Sequence, residues 1–145
     1  MEKKKFNYKV VLTVLATLIA IKGGKYLIDQ FDKSSIVIDK KLLEASQEVN
    51  KNLPMMLSSG LRVDSTMALP DKTFQYVLTL INVSKDELNL EELKKISYKE
   101  VLNNVKTSSD LKPFRDNKVT LIYLYKDKNN NEIFKLIFTY NDYKE

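Results

Sequence analysis

The sequence has no cysteine and no histidine, and only three glycines and three prolines in 145 residues. Without cysteine there is no disulfide scaffold, thiolate zinc site, thiol nucleophile or lipidated cysteine. Without histidine, Ser-His-Asp and Cys-His catalysis, HExxH metal sites and an imidazole pH switch are excluded. So few glycines and prolines exclude collagen-like and Gly-rich linker architectures. What is present is 43% hydrophobic and 30% charged residues. That is enough to bury a core, and the length suits one domain with an appendage.

The net charge of +5 sits at one end. The first 25 residues hold six lysines (Lys3, Lys4, Lys5, Lys9, Lys22, Lys25) against Glu2, while the remaining 120 carry 18 basic and 18 acidic groups. Nucleic-acid binders carry their basic patch on the folded module. A balanced domain with two arginines, Arg62 and Arg115, argues against a nucleic-acid partner.

Val10 to Ile21 (VVLTVLATLIAI) is a run of twelve without a charge, and Thr13 and Thr17 are its only polar members. It follows a basic stretch, as a signal sequence does. Small residues at a cleavage site are not cleanly offered, and Lys22 intrudes. The first reading is an uncleaved signal anchor. Lys9–Ile28 supplies the roughly 17–25 residues a spanning helix needs if its lysines snorkel. Val10, Val11, Leu12, Val14, Leu15, Leu18, Ile19 and Ile21 would then contact lipid. Lys3–Lys5 would stay cytoplasmic and the domain would lie outside the inner or plasma membrane. The competing readings are a secreted protein after signal cleavage and a buried or self-associating helix of a cytosolic protein. The division expected is 1–36 for the basic N-terminus, anchor and connector, and 37–145 for an extracytoplasmic domain.

Within the domain, Asp39–Leu53 reads as a helix capped by Asp39, with Leu42, Leu43, Ser46, Val49 and Leu53 near one stripe. Leu61–Leu69 alternates with period two, sending Leu61, Val63, Ser65, Met67 and Leu69 to one face. Pro70–Thr73 has turn chemistry, and Phe74–Ile81 returns as a second strand. Ser84 and Glu87 form a capping box for a helical pattern running to about Lys106, with a second box at Ser97–Glu100 that would break it. Ser109 or Asp110 starts a short helical turn. Val119–Tyr125 and Ile133–Tyr140 form a further hairpin around Lys126–Asn131. The fold class expected is α+β: an N-terminal hydrophobic helix, then a four-stranded antiparallel sheet of two hairpins with helices on one face.

Pro54-Met55-Met56, Leu61–Thr66 and Phe74-Gln75-Tyr76, together with Val105-Lys106-Thr107 and Phe114–Asn117, resemble a family of short, uncharacterised bacterial exported or membrane-anchored proteins. The resemblance spans about residues 40–140. It implies an envelope location and no particular activity.

The densest polar cluster is Arg62, Asp64, Ser65 and Thr66. It reads as a small binding site shared with Arg115 and Asp116, since Arg–carboxylate pairs fix loops or hold anions. The plainer reading is the solvent face of a strand with an exposed ion pair worth ~0–1 kcal/mol. A Ser–Lys nucleophile using Ser65, Ser58 or Ser59 needs no histidine, but no Ser-x-x-Lys motif opens a helix. Asp127–Glu132 is too short and lacks the glycine of a calcium loop, so it reads as a hairpin turn. No catalytic residue, metal or cofactor is expected. Tyr123, Tyr125, Phe134, Phe138, Tyr140 and Tyr143 crowd the last hairpin. Leu121, Tyr123, Ile133 and Phe138 are its candidate buried positions. The function expected is a membrane-anchored module that binds or scaffolds a protein outside the cytoplasm. The alternatives are a small hydrolase using carboxylates or a Ser/Lys pair, and a mobile-element or phage-encoded envelope protein.

Overall fold

The computed structural model describes residues 35–144. The expected anchor, Val10–Ile21, lies outside them. Among the described residues no helix is long and apolar enough to cross a membrane.

The chain runs α1 (Ser35–Asn50), β1 (Met55–Met56), β2 (Leu61–Leu69), β3 (Thr73–Leu80), a 3-10 turn (Lys85–Glu87), α2 (Leu90–Thr107), α3 (Lys112–Asp116), β4 (Thr120–Lys126), β5 (Glu132–Phe138) and α4 (Tyr140–Tyr143). The α+β class holds, but the sheet differs from the expected one. It has five strands in the order β1-β2-β3-β4-β5, and its central pair, β3 with β4, is parallel. The other pairs are antiparallel. The 18-residue α2 carries the chain back along the sheet, so β4 starts at the same end as β3. Such a crossover is what a parallel pair requires.

Helix α1 begins before Asp39, which is therefore no cap. Its carboxylate instead accepts the Lys72 N–H at 2.6 Å. Ile38, Leu42, Ala45, Ser46 and Val49 face inward, whereas Leu43, expected on that stripe, is 49% exposed. The Ser84 capping box forms, with the Ser84 N–H donating to Glu87 Oε2 at 2.6 Å, but it closes only the 3-10 turn. Helix α2 starts afresh at Leu90, where Asn89 Oδ1 accepts from the Glu92 N–H at 3.4 Å. It runs without a break through Ser97, which is buried.

Strand β2 has the predicted bounds, yet its alternation reverses midway. Val63 pairs with Leu78 and Ser65 with Val77, leaving Asp64 as the extra residue of a bulge. A one-residue insertion exchanges the faces of all that follows. Leu61 and Val63 are buried as expected, but beyond the bulge Thr66 turns inward and Met67 outward.

One face of the sheet is thereby sealed. Its rows across the strands are Ala68-Phe74-Leu121-Phe138, Thr66-Tyr76-Tyr123-Leu136 and Val63-Leu78-Tyr125-Phe134. They join Leu42 and Ala45 of α1 and Leu93, Val101 and Val105 of α2 in one core. Tyr76 stacks on Tyr123 at 5.2 Å between ring centroids, and Phe74 meets Phe114 of α3 edge-on at 5.3 Å. The four positions expected to be buried in the last hairpin, Leu121, Tyr123, Ile133 and Phe138, are all buried. The Tyr123 and Tyr125 hydroxyls are enclosed without a hydrogen-bond partner among the described residues, and burial pushes both well above the ordinary tyrosine value.

At the margin next to β2, Asn50 behaves as a one-residue strand. Its Nδ2 donates to the Thr66 carbonyl at 2.9 Å, and its Oδ1 accepts the Thr66 N–H at 2.7 Å. The edge backbone that β1 is too short to reach is satisfied in this way.

Candidate functional site

Among the described residues no helix packs on the other face of the sheet. The bulge and the pleat send Met67, Gln75, Ile122 and Ile137 into one row there, and Ser65, Val77, Leu124 and Lys135 into the next. Met67 and Ile137 are 42% and 49% exposed. Ile122 and Leu124 are half-buried, while Gln75, Val77 and Thr79 at the centre are buried. Apolar side chains contiguous across three strands on a solvent-facing sheet are a feature of interaction surfaces.

The predicted polar cluster closes one end of this strip. Arg62 pairs with Asp64 through Nε and Oδ1. The Thr79 hydroxyl donates to Asp64 Oδ2 at 2.5 Å. The bulge makes this possible, because it sets two successive β2 residues against one on β3. Arg62 lies opposite Thr79, which lies opposite Lys126. Asp64 therefore sits between an arginine and a hydroxyl, and Ser65 opens the adjoining row.

Arg115 and Asp116 are elsewhere. They belong to α3, which leads into the start of β4, while Arg62 is opposite the last residues of β3. Because β3 and β4 are parallel, those are opposite ends of the sheet, about 20 Å apart at the rise of an extended strand. Arg115 Nη1 donates to the Val105 and Ser108 carbonyls at 2.8 and 2.7 Å and closes the C-terminal end of α2. Asp116 pairs with Lys112 at 2.5 Å. The sequence-predicted residues thus form two groups, Arg62–Asp64–Ser65 on the open face and Arg115–Asp116 at the far end.

A residue read as part of a plain turn proves to organise one rim. Asp127 is enclosed, 1% exposed. Its carboxylate accepts from the Asn129 and Asn131 N–H groups at 2.9 and 2.8 Å and from the Lys85 N–H at 3.0 Å. Burial acts to raise its pKa, but these bonds outweigh it and hold the group down at about 2. The Lys128 N–H donates to the Val83 carbonyl at 3.1 Å. The β4–β5 turn and the exit from β3 are thereby tied together, locking the end of the parallel pair. An acid four residues before an asparagine in a turn was the available signal.

Among the described residues Asp127 is the one buried carboxylate, and no group of three or more His, Cys, Asp or Glu could hold a metal ion. The Ser58 hydroxyl accepts the Gly60 N–H at 3.3 Å, a loop contact.

Fold and face together define an α+β domain in which, among the described residues, helices seal one sheet surface and leave the other uncovered. The chain belongs to the family described as a domain of unknown function, DUF8479, whose profile matches residues 37–135. No curated protein matches the sequence. Three solved structures share the fold. A Pseudomonas aeruginosa protein described as a putative secreted protein has a TM-score of 0.66 at 10% identity, covering 80% of this chain and all of that one. The type II secretion system pilotin AspS from Vibrio cholerae has a TM-score of 0.57 at 8% identity, over 74% of this chain and 94% of that one. The type 2 secretion system pilotin EpsS from Vibrio vulnificus has 0.58 at 10% identity, over 77% and 96%. At such identities the likeness is one of fold.

Proposed function

We propose that this protein is a non-catalytic protein-binding module of the bacterial envelope, held outside the cytoplasm by its hydrophobic N-terminal segment, and that the open sheet face receives the partner. The observation that carries the reading is the strip Met67, Ile122, Leu124 and Ile137, with Arg62, Asp64 and Lys135 around it. An apolar centre with a polar rim is the anatomy of a non-obligate interface. The fold shared with a protein described as secreted and with two pilotins supports an envelope setting. The charge-free run Val10–Ile21 behind Lys3–Lys5 supports anchoring over cleavage.

A photo-crosslinking residue placed at Ile137 or Met67 in living cells tests the face. A discrete protein adduct is expected from both positions, and none from Lys99 on the exposed side of α2. Equal labelling from all three would sink the reading. Carbonate washing of membranes tests the anchor. The full-length protein should stay in the pellet, with its C-terminus open to protease added from outside. A mature N-terminus near Gly23–Tyr26 would replace the anchor by a cleaved signal.

A further inference from the structure

The end of the domain remote from Arg62 holds a cleft of about 650 Å³, lined by Lys106, Lys112, Arg115, Lys118 and Lys144 against the single acid Asp116. The remainder of residues 35–144 carries 12 basic and 14 acidic groups, so the positive charge is gathered here. The one acid is already engaged by Lys112. Arg115 is pinned by the two carbonyls at the end of α2. Lys118 stands with Nζ 4.9 Å from the Tyr140 ring centroid, at a left-handed backbone position, φ 56°. The cations come from α2, α3, the turn before β4 and the stretch after α4, so only the folded chain brings them together.

From this cleft we infer a binding site for a phosphate-bearing anion, and its position favours the headgroup of an anionic phospholipid as the source. Several ammonium point charges with one partly committed guanidinium suit an anion with oxygens on several sides better than a planar carboxylate, which a free guanidinium fork would grip. The volume is that of a small-molecule site rather than of a lone ion. The position follows from two hydrogen bonds. Thr120 N–H, two residues beyond Lys118, donates to the Lys72 carbonyl at 2.8 Å, and Lys72 N–H donates to Asp39 in α1 at 2.6 Å. The cleft therefore opens at the end of the domain where α1 begins, the end the chain enters from its hydrophobic segment. The lipid source rests on the anchored reading proposed above. The phosphate site does not.

The test uses the full chain in uncharged dodecyl maltoside micelles, titrated with dihexanoyl phosphatidylglycerol, dihexanoyl phosphatidylcholine or inorganic phosphate. Amide shifts of Lys118 and Tyr140 report binding. Phosphatidylglycerol should saturate these shifts and phosphatidylcholine should not. Lys106→Glu with Lys118→Glu should weaken the binding tenfold or more, while Lys94→Glu with Lys95→Glu, the same charge change on α2 away from the cleft, should leave it unchanged. Inorganic phosphate binding as tightly as phosphatidylglycerol, and lost in the cleft variant, would uphold the phosphate site and overturn the lipid source. No saturable shift, or equal weakening by the two double variants, would overturn the site. The result is independent of membrane fractionation, so a chain released by carbonate that still binds phosphatidylglycerol in micelles would sink the anchor and keep the site.

Discussion

The two faces of this sheet are built from the same strands and do opposite work. The covered face has large aromatics in register, Phe74 with Leu121 and Phe138, and Tyr76 with Tyr123. Its residues are almost wholly buried under α1 and α2. The open face has medium-sized Met67, Ile122, Leu124 and Ile137, with Lys135 beside them. Stability is concentrated on one side, which leaves the other free to be apolar for a different reason. Half-exposed apolar side chains there add little to the fold, and the proposed docking uses that side.

The strongest way to break that contrast is truncation on each side. Phe138→Ala should cost about 3–5 kcal/mol, much of a small domain's ~5–15 kcal/mol, and lower the melting temperature sharply. Its neighbour Ile137→Ala should stay within about 1 kcal/mol, since half-exposed side chains lose little on truncation. Equal shifts in the two melts would erase the distinction. Asn50→Ala comes next. It strips partners from both the N–H and the C=O of Thr66, each costing about 1–3 kcal/mol if left unsatisfied. Faster hydrogen exchange at the Thr66 amide would mark the covered margin as the place of damage, and unchanged exchange would refute it.

Asp127 sharpens the comparison at the rim that the faces share. Its carboxyl lies at about 2 in the fold against an ordinary 3.8. Its contribution is therefore complete above about pH 4 and is lost as the pH falls toward 2. Asp127→Asn should melt lower than the parent at pH 7, and the gap should narrow through that window in pH-dependent melts. A constant gap down to pH 2 would show that the charge is not what the turn uses. The smallest effect has the opposite sign. Tyr123→Phe removes an enclosed hydroxyl with no partner among the described residues, so the variant should be at least as stable as the parent. A clear loss by calorimetry would reveal a partner for that oxygen.

Much of this contrast was legible beforehand, and where it was not the reason is physical. Alternation in Leu61–Leu69 located β2 to the residue. It does not show the bulge at Asp64, because the extra residue is distinguished by its pairing rather than its side chain, and the residues beyond it face opposite to what strict alternation predicts. Alternation in Val119–Tyr125 identified a strand but not its neighbour. The parallel pairing follows from the route of α2, which is a matter of three dimensions. Ser84 and Glu87 form the cap their spacing predicts, but local chemistry does not say that the capped element stops after one turn. Arg62 and Asp64 stood close in sequence and stay close in space, so their cluster was visible. Arg115 was visible as a charge, but its partners at Val105 and Ser108 are carbonyls, which carry no sequence signal. The cleft cations are scattered from Lys106 to Lys144, and only folding makes them one feature.

The side chain of Asn50, posing as a strand beside Thr66, also limits what copies of this domain can do to each other. Growth of a fibre by edge pairing needs two free edges on every copy, one to give and one to receive. Among the described residues the β2 edge is met by the two residues of β1 and by one amide, which leaves β5 as the longer edge on offer. Pairing through β5 alone would close on itself as a twofold contact. A two-residue strand and one asparagine together stand between a self-limiting contact and an open-ended one.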